Sequence, residues 1–239
     1  EQTRQRQIRQ ALVHSMLCAF EMTRAWTYSA AYNLRQISRI EGFDHVKAAV
    51  QKQTGVILLC PHLGNWELVN IFLATHLKIS ILYRPPKQKY LEIPIRDARE
   101  RLGTDMAPAN AEGVRHLFKV LKQSGVIGVL PDQDPGEHGG EFAPFFGIPT
   151  NTMTLVSKLA AKSQAPVFFI TATRTPDCRS FEIQCFELPP DIRSADLQTS
   201  LCTLNQGIER CIALAPEQYQ WGYKRFKRSP IQGIYESPS

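Results

Sequence analysis

The chain has 239 residues, 43% of them apolar, which suffices for one large α/β domain or two small ones around a substantial core. A formal net charge of +6 and a pI near 9.1 point to an anionic partner, without choosing among nucleic acid, an anionic membrane face, a phosphorylated ligand and an acidic protein. Six cysteines without a C-x-x-C pair argue against a disulfide framework and for a reducing compartment, and neither a signal peptide nor an apolar run approaching a membrane span is present.

Residues 3–40 are helical in pattern, with arginines at 4, 6, 9, 24, 35 and 39 against the single acid Glu21. Ile8, Leu12, Met16 and Ala19 recur at helical spacing, so the segment is amphipathic. Such a helix can lie on an anionic membrane or cover a core with its basic face solvated; both readings stand. From Thr54 the pattern predicts, in order, strand 56–60 (VILLC), helix 65–77, strand 79–83, helices 88–102 and 111–123, and strand 126–130. Helix 152–163, strands 166–172 and 181–187 and helix 196–214 follow. The strands lack in–out alternation, as expected when both faces are buried. Strands separated by helices imply βαβ units and a mostly parallel sheet flanked by helices. Only the short link "RTPDCRS" precedes the last strand, which predicts antiparallel pairing there. No repeat or linker divides the chain, so 1–239 is expected to be one domain, with 1–43 a helical segment packed on it.

Ligands of such sheets sit beyond the carboxyl ends of the strands. Three polar clusters fall there: "PHLGNWE", "YRPPK" and "PDQDPGEHGGEFAPFFG". In the first, His62 is a candidate general base and Glu67 the carboxylate that would orient it, with Gly64 allowing the backbone to turn between them. A solvated helix start is the competing reading. A zinc site is weaker, since H-E-x-x-H is missing and no third ligand is evident. Neither G-x-S-x-G nor a phosphate-binding G-x-x-x-x-G-K-[ST] occurs. Arg84, stiffened by two following prolines, can grip phosphate, and one arginine of "RDARERLG", which contains Arg99, can reach the same rim. Asp132 and Asp134 can orient groups or cap a turn, and Gly136 belongs to a loop of unusual dihedrals. Phe142, Phe145 and Phe146 either fill the core or line an apolar channel. In "QWGYKRFKRSP", Lys224, Arg225, Lys227 and Arg228 alternate with aromatics. That pattern suits nucleic acid, a membrane interface or a solvated tail.

Taken together, "HLGNWE", "YRP", the spaced arginines of 96–103, "LPDQDPG" with "GGEFAPFFG", and the final "QWGYKRFKRSP" resemble the bacterial lipid A secondary (late) acyltransferases, the lauroyl/myristoyl transferases, from about residue 4 to 230. The resemblance implies a glycerol-3-phosphate acyltransferase-like α/β fold. It also implies acyl transfer from acyl carrier protein to a hydroxyl of a lipid A precursor at the cytoplasmic face of the inner membrane, in a peripheral or single-pass protein. The His-x4-Asp motif of the wider group reads here as His62 and Glu67, base and partner. Arg84 and Arg99 would hold phosphate or polarise the reacting groups, and Asp132, Asp134 and Gly136 would shape the acceptor site. Phe145 and Phe146 would line a slot for the donor chain, and Lys224, Arg225, Lys227 and Arg228 would meet the anionic membrane surface. No metal or organic cofactor is implied, and nucleic acid is not expected as a partner. Two departures stand out. Members usually begin with an apolar anchoring helix, whereas this chain starts at Glu1, and Tyr223 stands where a histidine is common. The alternatives are another glycolipid or aminolipid acceptor, a nucleic-acid binder that would leave "HLGNWE" and "DQDPG" unused, and an inactive membrane scaffold.

Overall fold

The computed structural model describes residues 2–86 and 88–235, so Lys87 of "YRPPK" lies outside the described residues. Its centre is a seven-stranded sheet. The two strands that carry the site are β2 (Val56–Leu59) and β5 (Val126–Val129), both buried along their whole length. The other strands are β1 (Ile37–Glu41), β3 (Ile79–Tyr83), β4 (Asp105–Pro108), β8 (Val167–Arg174) and β9 (Phe181–Glu187). The order is β1-β9-β8-β2-β5-β3-β4. Neighbours pair parallel except β8 and β9, which run antiparallel as the short link requires.

The period-2 geometry of strands sends alternate side chains to opposite faces, and each face finds its own helices. Ile57, Leu59, Ile127 and Val129 enter a core shared with Leu204 and Ile208 of α8 (Leu197–Leu214). Val56 and Leu58 enter a second core with Leu68 and Phe72 of α4 (Trp66–His76). This is the expected α/β architecture with a mostly parallel sheet. The remaining helices are α1 (Gln2–Thr27), α2 (Ala30–Leu34), α3 (Phe43–Gln51), α5 (Glu92–Glu100), α6 (Ala111–Lys122) and α7 (Thr154–Ser163).

Several elements differ from the periodicity-based expectation. The helix predicted over 3–40 is two, α1 ending at Thr27 and the short α2 at Leu34, and residues 37–41 form the edge strand β1 against β9. β4 reads "DMAP", too polar and short for a strand signal, and its Pro108 is tolerable because the strand lies at the sheet edge. The glycine-rich segment read as a loop holds a hairpin of β6 (Gly140–Phe145) and β7 (Ile148–Met153). Its two-residue turn places Phe146 and Gly147 at φ of 48° and 74°, the positive values a tight hairpin needs.

The amino-terminal helix is latched to the carboxyl-end rim. Arg174, at the end of β8, has a fully buried side chain that donates to Glu21 of α1 at 2.6 and 2.5 Å. Cys18 Sγ reaches the Gly64 carbonyl at 3.4 Å. Among the described residues no helix is long and apolar enough to cross a membrane.

Candidate active site

β2 and β5 lie side by side with Leu59 opposite Val129. Each strand is followed by one residue and a proline, so His62 and Asp132 stand the same three steps past the paired ends and meet. Asp132 accepts from the His62 backbone N–H at 2.9 Å and sits 2.8 Å from ring Nδ1 through its other oxygen. The carboxylate is 1% exposed and the imidazole 14%. Burial alone would raise the Asp132 carboxyl. The facing imidazole and backbone N–H donors outweigh it and hold the group below the usual carboxylate range. An ionised carboxylate only accepts, so Nδ1 carries the proton and a neutral ring keeps its lone pair at Nε2. The Trp66 ring meets the imidazole edge-on, with centroids 4.9 Å apart.

The local sequence builds this turn. Gly64 has φ +60°, and a Cβ there would fall 2.0 Å from the Ala172 carbonyl oxygen, so a side chain is excluded on two counts. Asn65 caps α4 by accepting from the Leu68 N–H at 2.9 Å. The carboxyl-terminal segment braces the turn from outside: Gln220 N–H donates to the His62 carbonyl at 3.0 Å and Gly64 N–H to the Gln218 carbonyl at 3.2 Å.

The expected pairing of His62 with Glu67 requires correction. Glu67 is buried in the first turn of α4, and its two oxygens accept from Arg99 of α5, Nη2 at 2.5 Å and Nε at 3.3 Å. A guanidinium fork satisfies a buried carboxylate better than one ring nitrogen does, and the imidazole is already engaged by Asp132. Arg99 and Glu67 thus stand together, beside the His62–Asp132 pair and not within it. An apolar slot of about 40 Å³ between α4 and the sheet is lined by Trp66, Arg99, Cys60, Val69 and Gly128.

Asp134 is a loop organiser. Its Oδ1 accepts from Gly136 N–H at 2.7 Å and Asn151 Nδ2 at 3.0 Å, and its Oδ2 lies 3.1 Å from Arg228 Nε and 3.4 Å from Lys227 Nζ. Gly136 has φ +90°. The terminal basic run therefore folds back onto this loop. Arg225 also departs from the expected surface position: it is 3% exposed and donates to the Asn151 carbonyl at 2.6 Å, so its guanidinium is turned into the protein. Burial depresses its guanidinium, against the opposing pull of Tyr219 and Asp132. Burial likewise raises the Tyr219 hydroxyl, and the Asp132 charge adds to that. Lys224 is exposed beside the Tyr235 ring.

Phe145 is fully buried in the main core, against Phe146 and Phe226; packing claimed it because its strand faces α8. Phe146, at the hairpin turn, stays half exposed near Trp221. Arg84 is exposed past β3, and Arg96 lines a polar groove of about 480 Å³ at the ends of β3 and β4. Sequence reasoning passed over Gln133, which lies inside the quoted "DQD" and touches the imidazole. Its Nε2 is 3.2 Å from His62 Nε2 and 3.2 Å from Gln220 Oε1. The signal was its place beside Asp132, one residue further along the loop.

A sequence profile described as bacterial lipid A biosynthesis acyltransferase matches residues 1–228. The chain is 28% identical over 213 residues to the lipid A biosynthesis palmitoleoyltransferase of Escherichia coli (strain K12), covering 87% of this chain and 67% of that protein. It is 28% identical over 206 residues to the lauroyltransferase of the same organism, covering 82% and 65%. A phosphatidylinositol mannoside acyltransferase of Mycobacterium tuberculosis (strain ATCC 25618 / H37Rv) is 32% identical over 137 residues, 55% of this chain and 43% of that protein. The chain spans about two thirds of the length of the two Escherichia coli relatives.

Proposed function

The chain belongs to the bacterial lipid A biosynthesis acyltransferases, and from that premise we propose that it moves a fatty acyl chain from an acyl carrier protein thioester to a hydroxyl of a lipid A precursor, with His62 as general base. The observation that carries the mechanism is the imidazole held at Nδ1 by buried Asp132, which leaves the Nε2 lone pair for a substrate proton. The acceptor hydroxyl gives its proton to Nε2 as its oxygen bonds to the thioester carbon. Asp132 stabilises the imidazolium that results. The tetrahedral intermediate then collapses, the carbon–sulfur bond breaks, and the leaving thiolate takes the proton from the ring. Ester and free thiol are the products, and the base is restored.

Arg99 is assigned to the negative charge that develops on the carbonyl oxygen. Two of its N–H groups meet Glu67, and a guanidinium has five. The slot beside it is where the acyl chain is proposed to begin. At about 40 Å³ it has room for a few waters and not for a long acyl chain, so a chain enters as α4 and its neighbours yield. Each methylene buried there contributes about 0.8 kcal/mol, enough for slot depth to select chain length.

A membrane face is the proposed setting. α1 presents Ile8, Leu12, Met16 and Phe20 at 51, 62, 65 and 74% exposure, with Arg6 and Arg9 exposed on the same helix. Its lone acid, Glu21, is turned inward to Arg174. A second acceptor class, a mannosylated inositol lipid, is kept open by the similarity to the mycobacterial enzyme.

Mass spectrometry tests this reading. A phosphorylated, Kdo-bearing lipid A precursor and a mannosylated inositol lipid are each incubated with acyl carrier protein thioesters of several lengths. One acyl mass should be added to the lipid A precursor, and His62→Ala should lower the rate at least about a hundredfold while its circular dichroism matches wild type. Absence of product with every donor, or a His62→Ala rate within a few-fold of wild type, contradicts the proposal.

A further inference from the structure

We propose that Gln133 is a positioning residue that holds the Nε2 lone pair of His62 in place, unprotonated, until an acceptor hydroxyl displaces it, with Gln220 fixing which way its amide faces. This deepens the reaction proposed above and rests on His62 being the base. The orientation follows from a chain of donors and acceptors. Asp132 takes the proton-bearing Nδ1, so Nε2 of the neutral ring can only accept. The group 3.2 Å from it must then be the amide NH2 of Gln133, not its oxygen. The same nitrogen lies 3.2 Å from Gln220 Oε1, so a turned Gln133 amide would set two oxygens against each other. The Gln220 backbone is anchored beside the ring, its N–H donating to the His62 carbonyl at 3.0 Å, which keeps its side chain within reach of Gln133.

The consequence concerns the base directly. A donor on Nε2 stabilises the neutral ring over the imidazolium, the opposite of what Asp132 does at Nδ1. Gln133 also occupies the place where a substrate hydroxyl must come. The acceptor therefore exchanges one donor for another at a lone pair that is already directed, and the Gln220 contact gives the displaced amide a partner to keep.

The other groups around this ring bear on any pH measurement. Asp132 faces it from the loop after β5, Tyr219 and Arg225 lie behind that carboxylate, and the Glu67–Arg99 pair stands on α4 and α5. The variants below leave all of them in place.

The test is NMR on protein labelled with 15N-histidine, with the His62 signals assigned by their loss in His62→Ala, alongside the pH dependence of acyl transfer. Gln133→Met keeps the bulk of the side chain and removes the donor. The His62 titration midpoint should rise by about half a pH unit or more, the effect of losing one neutral hydrogen bond to the unprotonated form. In Gln133→Glu, an acceptor facing Nε2 should raise it further, so the order is Glu above Met above wild type. A midpoint in Gln133→Met equal to or below wild type overturns the proposal. The acid limb of kcat/KM should move with the midpoint. If the midpoint moves and the limb does not, Gln133 acts as described and it is the base role of His62 that fails. Where Gln133→Met does not fold, the shorter Gln133→Ala carries the same expectation.

Discussion

Asp132 and Glu67 are buried carboxylates near the same turn, 1% and 3% exposed, yet one faces an imidazole and the other a guanidinium. The first lies on the rim formed by the ends of β2 and β5, where two backbones in parallel register fix the distance between side chains. The second lies in the seam between α4 and α5, where a helix start and a distant arginine find each other through packing. At the rim the carboxylate engages one ring nitrogen of the imidazole and leaves the other, Nε2, turned to the Gln133 amide. At the seam the carboxylate and the guanidinium satisfy each other through two hydrogen bonds. Proximity to a histidine in sequence is therefore a poor guide to which carboxylate serves it.

The contrast can be broken most forcefully at the seam. Glu67→Ala leaves the Arg99 charge buried without its partner, which should cost about 3–5 kcal/mol in urea unfolding, while Glu67→Leu combined with Arg99→Met should recover much of that loss. A single variant as stable as wild type would show the pair to be ornamental. At the rim, Asp132→Asn should cost about 1.5–3 kcal/mol at pH 7, the range for hydrogen bonds to a charged group. That cost depends on pH with a definite sign. Asp132 titrates lower when folded than its unfolded value near 3.9, so its contribution is complete above that value and disappears as pH falls through the folded one. The gap between wild type and variant should start to narrow between pH 5 and pH 3, read from unfolding midpoints at the two values; a gap that does not narrow over that interval contradicts the assignment. Smallest of all, Arg228→Ala removes a half-exposed partner of Asp134 and should change stability by about 1 kcal/mol or less, measured by the same unfolding.

Much of the sheet was legible because β2 and β5 are short runs without polar side chains and β8 opens with four apolar residues, and their ends told where polar residues matter. Edge strands were not: β1 lies in a stretch whose arginines and apolar spacing read as helix, and β4 carries too few apolar residues to register. His62 was legible as a residue of the rim from residue type and place. Its true partner was named among the site residues but given a different duty, because the four-residue gap to Glu67 is visible in the sequence and the alignment of β2 with β5 is not. With that pairing known, "PHL" and "PDQ" fall into step, and Asp132 follows. Arg225 shows the reverse difficulty. In a run of cations it reads as surface, and the Asn151 carbonyl and the Phe145 ring, both far away in the chain, are what it meets where it is buried.

The central claim, that Asp132 and not Glu67 works through the His62 ring, is tested most directly by the pH profile of acyl transfer in Asp132→Asn beside Glu67→Gln. Removing the carboxylate that favours imidazolium should shift the acid limb of kcat/KM to lower pH and reduce the plateau about a hundredfold. Glu67→Gln should leave the limb where wild type has it, whatever happens to the plateau. A limb that moves in Glu67→Gln and stays fixed in Asp132→Asn would contradict the account.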